Sequence, residues 1–175
     1  TRELWWRLAM DNELLALLDL PKGSSINLDG QPIILQRDDF VGFHNLPSNE
    51  LHLVAVRSCV TTNEKSKGVQ RPTVGFIVSG ETLPFIRSYD KWTEEVSSKP
   101  VDELAASNLL VSIRDGAGAA SSQRLIDYRH LISGNNNNAE NWKEFTRFIT
   151  KNLLRKRKLC SGDKIVPGSL NELDS

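Results

Sequence analysis

The sequence has few of the residue types that mark disulfide-linked or metal-binding proteins. Its 175 residues include two cysteines, Cys59 and Cys160, and a single methionine. Two cysteines cannot build a disulfide framework, and these two do not stand at the spacing of a metal-ligand pair. We therefore expect two ordinary thiols in a reducing compartment.

Long hydrophobic runs are also missing. No apolar stretch approaches the roughly 20 residues that a helix needs to span a bilayer. Residues 1–6 lack the uninterrupted apolar core and cleavage site of a signal peptide. They also lack an initiator methionine, which predicts a chain that has been processed or is a piece of a longer protein.

The chain has no surplus of charge of either sign. The 22 Lys and Arg residues balance 22 Asp and Glu residues, so the formal net charge is +0. A dedicated nucleic-acid-binding protein usually carries a basic surplus, so this balance argues against that class. It leaves room for a local basic patch.

Catalytic and metal-binding motifs are absent from the sequence. It contains no HExxH pair and no G-x-S-x-G nucleophile elbow. None of its three histidines, His44, His52 and His130, has a cysteine near enough in sequence to complete a metal set. The acidic pairs at 38–39 and 94–95 are adjacent residues whose carboxylates point in different directions. We therefore assign no catalytic, cofactor-binding or metal residue.

One short motif leaves an enzymatic alternative open. Gly116-x-Gly118 follows an apolar run and precedes a predicted helix, as a phosphate-binding loop would. The third small residue would be Ser121, where the dinucleotide fingerprint has Gly or Ala, and no βαβ unit starts here. A glycine-alanine linker between two helices fits better than a nucleotide-binding or hydrolytic enzyme.

What the chain does contain is β-strand material divided by proline and glycine turns. Asp29-Gly30 is the strongest hairpin signal. Strands are predicted at 14–20, 25–28, 33–35, 51–56, 73–78 and 83–87, separated by turns or polar loops such as 61–70. This spacing predicts an α+β protein with an antiparallel, sandwich-like β core over about residues 14–88.

Helical patterns dominate the second half. A short helix is predicted within 1–13, another capped by Asp90 over 90–96, one opened by Pro100 and reaching about 113, and one over 122–132. In the last helix, one apolar face is formed by Trp142, Phe145, Phe148, Ile149 and Leu153, which we expect to pack on the sheet or on the preceding helix. The predicted organisation is one domain over 1–160, with its helical part at 90–160, and a flexible tail at 161–175.

One dense charge cluster stands near the end of that helix. It consists of Lys151, Arg155, Lys156, Arg157 and Lys158. Such a cluster occurs in nuclear import signals and in contacts to RNA phosphates. It also occurs where cations offset the dipole at the C-terminal end of a solvated helix. We treat these residues as a candidate partner-binding or import patch, with an RNA-binding accessory module as the alternative function.

The order of the turns resembles one protein family. Its successive motifs are similar to Leu20-Pro21-Lys22-Gly23, Phe40-x-Gly42, Leu46-Pro47, Leu51-His52-Leu53, the strand at 75–78 and the aromatic, acidic stretch at 83–96. Residues 142–149 fit the helical close of that family's N-terminal domain. The family is the cistron-splicing factor (AAR-two) family, and the resemblance covers roughly residues 14–155. The turn before the family's histidine is one residue longer here, at 48–50.

The resemblance implies a non-enzymatic assembly factor of the U5 small nuclear ribonucleoprotein, present in the cytoplasm and nucleus of a eukaryotic cell. Members bind the large spliceosomal scaffold protein through its RNase H-like and Jab/MPN domains, and withhold it from the helicase and from RNA until maturation. The chain would represent the N-terminal domain without the family's large C-terminal helical domain. Direct RNA contact would be secondary, and no cofactor or membrane contact is expected.

Overall fold

The computed structural model describes residues 13–60, 69–115, 124–133 and 138–165. In chain order the strands are β1 (Leu15–Leu18), β2 (Ser25–Leu28), β3 (Gln31–Ile34), β4 (Gly42–His44), β5 (His52–Arg57), β6 (Cys59–Val60), β7 (Val69–Gln70), β8 (Val74–Val78), β9 (Phe85–Asp90), β10 (Glu95–Val96), β11 (Leu125–Asp127) and β12 (Lys164–Ile165). The α-helices of these residues are α1 (Glu103–Asp115), α2 (Tyr128–Ser133), α3 (Asn138–Thr146) and α4 (Lys151–Lys156), and a 3-10 turn spans Gly80–Thr82.

The first of two five-stranded sheets is mixed. Its order is β10-β9-β1-β4-β11. β1 runs parallel to β9 and antiparallel to β4, and β11 runs parallel to β4. Helix α1 covers the outer face of this sheet, where Leu110 belongs to the same apolar cluster as Leu14, Ala16 and Ile86.

The second sheet is antiparallel throughout, in the order β12-β8-β5-β2-β3. β2 and β3 form the predicted hairpin. Asp29 and Gly30 have φ angles of 51° and 84°, and two positive φ angles are what a two-residue I′ turn requires. Pro32 lies on β3, the edge strand, where its missing N–H costs no interior ladder bond.

The main core lies between the two sheets. Phe76 of the second sheet meets Phe85 of the first edge-to-face, with ring centroids 5.2 Å apart. Leu15 and Phe43 from the first sheet and Val54 from the second are fully buried in the same cluster. The predicted α+β class and the sandwich-like core are therefore confirmed.

One predicted helix is wrong and another is shorter than predicted, because residues of both complete the first sheet. After β9 the chain makes a turn at residues 91–94, and β10 returns along β9, which buries Val96 opposite Tyr89. Asp90 does cap, but it caps that turn, since its Oδ1 accepts from Trp92 N at 2.8 Å. Within 122–132, residues 125–127 form β11 on the sheet edge, and the helix begins only at Tyr128.

The last predicted helix is divided in two. Thr150 has an extended backbone, and its side chain caps α4 by accepting from Leu153 N at 3.1 Å. The residues expected on one face therefore belong to separate segments. The expected docking of this face holds only in part. Helix α3 contacts the preceding helix α2 and Trp142 is half-buried, but Phe145 and Phe148 are 74% and 71% exposed.

Two predicted loops also contain strands. The segment predicted as a loose tail from Ser161 returns to the second sheet, where β12 pairs with β8, and Gly162 N donates to Ile77 O at 2.6 Å. β7 lies in the predicted polar loop and pairs with β6. The helix predicted in 1–13 and the motif Gly116-x-Gly118 fall almost entirely outside the described residues, as does the tail beyond 165.

Candidate interaction surface

A buried polar network lies where the β2–β3 hairpin, β5 and α2 meet. The Asp29 carboxylate accepts from His52 Nδ1 at 2.6 Å and from Tyr128 OH at 2.5 Å, both through Oδ2. Its other oxygen accepts from Leu53 N at 2.7 Å. All three side chains of the network are buried. Because these side chains are closed to solvent, the hydrogen bonds of the network act within the fold and join its elements.

His52 is charged in this network. Its Nε2 lies 2.8 Å from the carbonyl oxygen of Pro47, so both ring nitrogens face acceptors and both carry a proton. Burial lowers the pKa of His52. The hydrogen bond to Asp29, the charge of that carboxylate, the Pro47 carbonyl and the nearby Glu50 outweigh burial and raise the pKa above its ordinary value. Burial, followed by the Asp29 charge, raises the pKa of Tyr128, which stays a neutral donor.

This network makes folding stability depend on pH. The pKa of His52 is higher in the folded than in the unfolded chain, so the folded state holds its proton to higher pH. We expect the free energy of unfolding, measured by urea titration, to fall as pH rises above about 6.5, by up to about 1.4 kcal/mol per pH unit, until pH passes the folded pKa.

The variant His52→Gln is the control for this dependence. It removes the titrating group, so the slope attributed to His52 should disappear whatever the variant's absolute stability. A stability that rises with pH in this window, or a slope that persists in His52→Gln, would contradict the assignment.

The network and α3 together fix the loop that precedes β5. His52 holds Pro47 at one end of this loop. At the other end, Trp142 Nε1 donates to Leu51 O at 3.0 Å, and Lys143 Nζ lies 3.3 Å from Glu50 Oε1. Gly80 packs directly on the loop backbone, since an added Cβ would overlap the Ser48 carbonyl oxygen. The loop is therefore a fixed wall for whatever lies beside it.

A groove of about 780 Å³ lies between this loop, the 3-10 turn and α4. Its lining includes the aliphatic side chains Leu51, Ile149, Leu154 and Leu159. Glu50, Glu81, Lys151 and Arg155 are its charged lining residues. Lys151 and Glu81 form an ion pair, and the hydrogen bond from Lys151 lowers the pKa of Glu81. We call this feature the α4 groove.

The helical segment 143–158, beside the groove, carries a high density of positive charge. Residues 143–158 contain seven Lys or Arg and a single Glu, a net charge of +6 in a chain of net charge +0. The same segment exposes Phe145 and Phe148. The Arg147 guanidinium lies over the Phe148 ring, 4.4 Å from its centroid, and Trp142 lies beside Phe145 at 6.2 Å. Exposed aromatic residues among cations are typical of binding surfaces.

The structure brings together only part of the basic cluster predicted from the sequence. Lys151 and Arg155, one turn apart on α4, both line the groove. Lys156, Arg157 and Lys158 are exposed at the end of α4, where the Arg157 N–H donates to the Leu153 carbonyl oxygen. The cluster therefore has a groove-facing part and a part that surrounds the helix end.

The sequence did not identify the residues that form the walls of the groove opposite α4. Glu81 belongs to no motif, and the motif around Leu51 does not indicate a groove; both residues meet α4 only through the folding of the strands. His52 and Leu53 are successive strand residues and therefore face opposite ways, and the structure places His52 inside and Leu53 at the surface. Asp29 was visible only as a turn residue. Its partner Tyr128 lies 99 residues away, so no local pattern joins them.

The described residues provide no other chemical centre. Among them, no three His, Cys, Asp or Glu side chains gather in a way that would hold a metal ion. None of the helices in this part of the chain is long and apolar enough to cross a membrane. In the described structure, the α4 groove and the basic, aromatic surface beside it are the strongest candidate site.

The comparison with known proteins identifies a family. Residues 11–158 match the family model described as the AAR2 N-terminal domain. The match spans both sheets except β12, all four described helices and the end of the basic cluster. No match was found among curated proteins.

Proposed function

The chain belongs to the AAR2 family, and on that premise we propose that it is a non-enzymatic assembly factor of pre-mRNA splicing that acts on the U5 particle. It would bind the RNase H-like and Jab/MPN domains of the large spliceosomal scaffold protein. By covering surface that the helicase or RNA would otherwise use, it would delay their contact with the scaffold. Its place would be the cytoplasm and nucleus.

The single observation that carries this proposal is the family match over residues 11–158. The geometry supports a binding role in two ways. The polar cluster in the core is closed to solvent, and the exposed surface combines an apolar groove with aromatic and basic side chains. These features suit protein recognition better than bond-making chemistry.

The proposal predicts a direct complex with the scaffold. We expect this chain to bind a recombinant RNase H-like or Jab/MPN domain of the scaffold in isothermal titration calorimetry, with one-to-one stoichiometry. A stable interface of this kind buries about 1,200–2,000 Å² in total. A bacterial RNase H, which shares the fold but has no role in splicing, is the matched control and should give no binding. Absence of binding to both scaffold domains would refute the proposal.

Direct RNA binding is the alternative, and the net charge of +6 over residues 143–158 favours it. An RNA-binding module would show a steep loss of affinity with salt, because each phosphate contact releases a counterion. Replacing Lys151, Arg155, Lys156, Arg157 and Lys158 with glutamine would then release RNA. Unchanged RNA retention in that variant would remove this alternative.

A further inference from the structure

We propose that the α4 groove binds a peptide segment of a partner protein in which acidic residues flank large aliphatic or aromatic side chains. The inference rests on the proposed binding function and narrows it to one site and one ligand chemistry. Three properties of the groove carry it: its apolar lining, its surrounding charge and the position of its own carboxylates.

The aliphatic lining determines the first part of the ligand. Leu51 comes from the loop before β5, Ile149 lies just before α4, and Leu154 lies on α4. Each of these three side chains is half-buried, so each still presents apolar surface to the groove. A volume of about 780 Å³ lies within the range of about 300–1,000 Å³ found for ligand sites, and it holds several side chains. An inserted Leu or Phe would remove apolar surface from water on both partners.

The surrounding charge determines the second part. Lys151 is already paired with Glu81 across the groove. Arg155 lines the same wall one turn further along α4, and Lys156 and Lys158 stand exposed at its end. The positive field around the groove therefore exceeds what Glu50 and Glu81 neutralise. A carboxylate beside the inserted apolar residue would meet Arg155 in the planar geometry that guanidinium groups favour.

The same geometry favours a peptide over RNA. Glu50 and Glu81 line the groove, and a phosphodiester backbone, which carries a negative charge at every nucleotide, would bring several of these charges against them. A peptide can place its few carboxylates at Arg155 and lay apolar side chains along the rest of the groove. The aliphatic lining offers no aromatic face for base stacking. Of the two exposed Phe rings beside the groove, Phe148 already has one face covered by Arg147. Single-stranded RNA sites depend on such free aromatic platforms.

The test is a peptide-display selection against the full 175-residue chain, followed by titration of the enriched peptide as a fluorescent conjugate. We expect enriched peptides to combine Asp or Glu with Leu or Phe. Arg155→Glu should bind the peptide at least about tenfold more weakly, because a cation facing the ligand carboxylate becomes an anion. Lys91→Glu, the same change at an exposed lysine of the β9–β10 turn, should bind like wild type.

Two further measurements locate the site. Cys160 lines the groove and is exposed, whereas Cys59 is buried, so alkylation reports on the groove itself. The bound peptide should slow alkylation of Cys160 by iodoacetamide. A version of the peptide with lysine in place of its acidic residues should bind Arg155→Glu more tightly than wild type.

Several results would overturn the inference. One is a selection that enriches no peptide, or only peptides without acidic residues. Another is equal affinity of wild type and Arg155→Glu for the enriched peptide. A third is a rate of Cys160 alkylation that the bound peptide leaves unchanged. Protection of Cys160 by polyuridylate and not by peptide would instead assign the groove to RNA. Scaffold domains that bind wild type and Arg155→Glu equally would refute the groove while leaving the assembly function intact. Peptide binding without scaffold binding would refute the function alone.

Discussion

Replacing Asp29 with asparagine should lower the free energy of unfolding by about 3–5 kcal/mol, the range measured when one partner of a buried ion pair is removed. The carboxylate is the counterion of the buried, protonated His52 and the acceptor for Tyr128. Asparagine keeps the size of the side chain and tolerates the positive φ of 51° at this position. The loss therefore reports on charge and not on backbone strain. Urea unfolding followed by circular dichroism measures it.

Two companion variants separate the contributions to that loss. Tyr128→Phe removes one donor and leaves the charge pair intact, so it should cost less, about 1–2 kcal/mol. Asp38→Asn is the surface control, since exposed Asp38 accepts one backbone hydrogen bond from Lys22 N, and it should cost less than about 1 kcal/mol. An Asp29→Asn protein within 1 kcal/mol of wild type would mean that the network contributes little.

The network connects fold stability to the proposed site. His52 holds Pro47 at the start of the loop whose residues 48–51 line the α4 groove. When Asp29 no longer supports the charge on His52, the ring keeps only one proton and one fixed partner. The hydrogen bond to Pro47 then requires that proton on Nε2, so the anchor of the groove wall depends on a single tautomer of His52, although no groove residue has changed.

The β core was predictable because its signals are local. Alternation along 51–56 predicts one buried and one exposed face, and β5 has them, with Val54 and Val56 inside and Leu53 outside. The Asp29-Gly30 turn fixes the register of its hairpin through backbone geometry alone. Each of these features depends only on residues that are close together in the sequence, so the sequence alone predicts it.

The second half was predicted less well because its strands are chosen by partners far away. Leu125 and Ile126 are apolar residues that fit a helix, yet residues 125–127 add to the edge of β4, more than 80 residues earlier. The predicted last helix is interrupted before Thr150, whose side chain caps the helix that follows, α4. A periodic apolar pattern cannot show such a break, so it predicted a packed face where the chain exposes Phe145 and Phe148.

The groove lay beyond sequence reasoning for the same reason. Three segments supply its walls: residues 48–51, 79–81 and 149–161. The sequence identified the cations of the third segment, but not the carboxylates of Glu50 and Glu81 that face them. These carboxylates disfavour a phosphate chain, which carries a negative charge at every unit, more than a peptide whose few acidic residues can lie at the cations.

The second large effect is expected at Gly42, where alanine should cost about 3 kcal/mol or more of unfolding free energy, the upper end of the range for overpacked interiors. Gly42 pairs with Ala16 across β1 and β4. An added Cβ would overlap the Leu15 carbonyl oxygen and lie 2.7 Å from Ala16 Cα. These are backbone atoms of a central strand, so neither can turn aside as a side-chain tip would, and the β1–β4 pairing must separate.

Gly75 provides the matched control for this prediction. It also lies within a strand, but an added Cβ would come no closer than 3.6 Å to Val54 O, an ordinary contact. Gly75→Ala should therefore be neutral or stabilise by up to about 1 kcal/mol, because alanine restricts the unfolded chain. Urea unfolding of both variants decides the matter. Equal stability of Gly42→Ala and Gly75→Ala would show that β1 and β4 tolerate a wider spacing, and that glycine at this position of the Phe40-x-Gly42 motif has another cause.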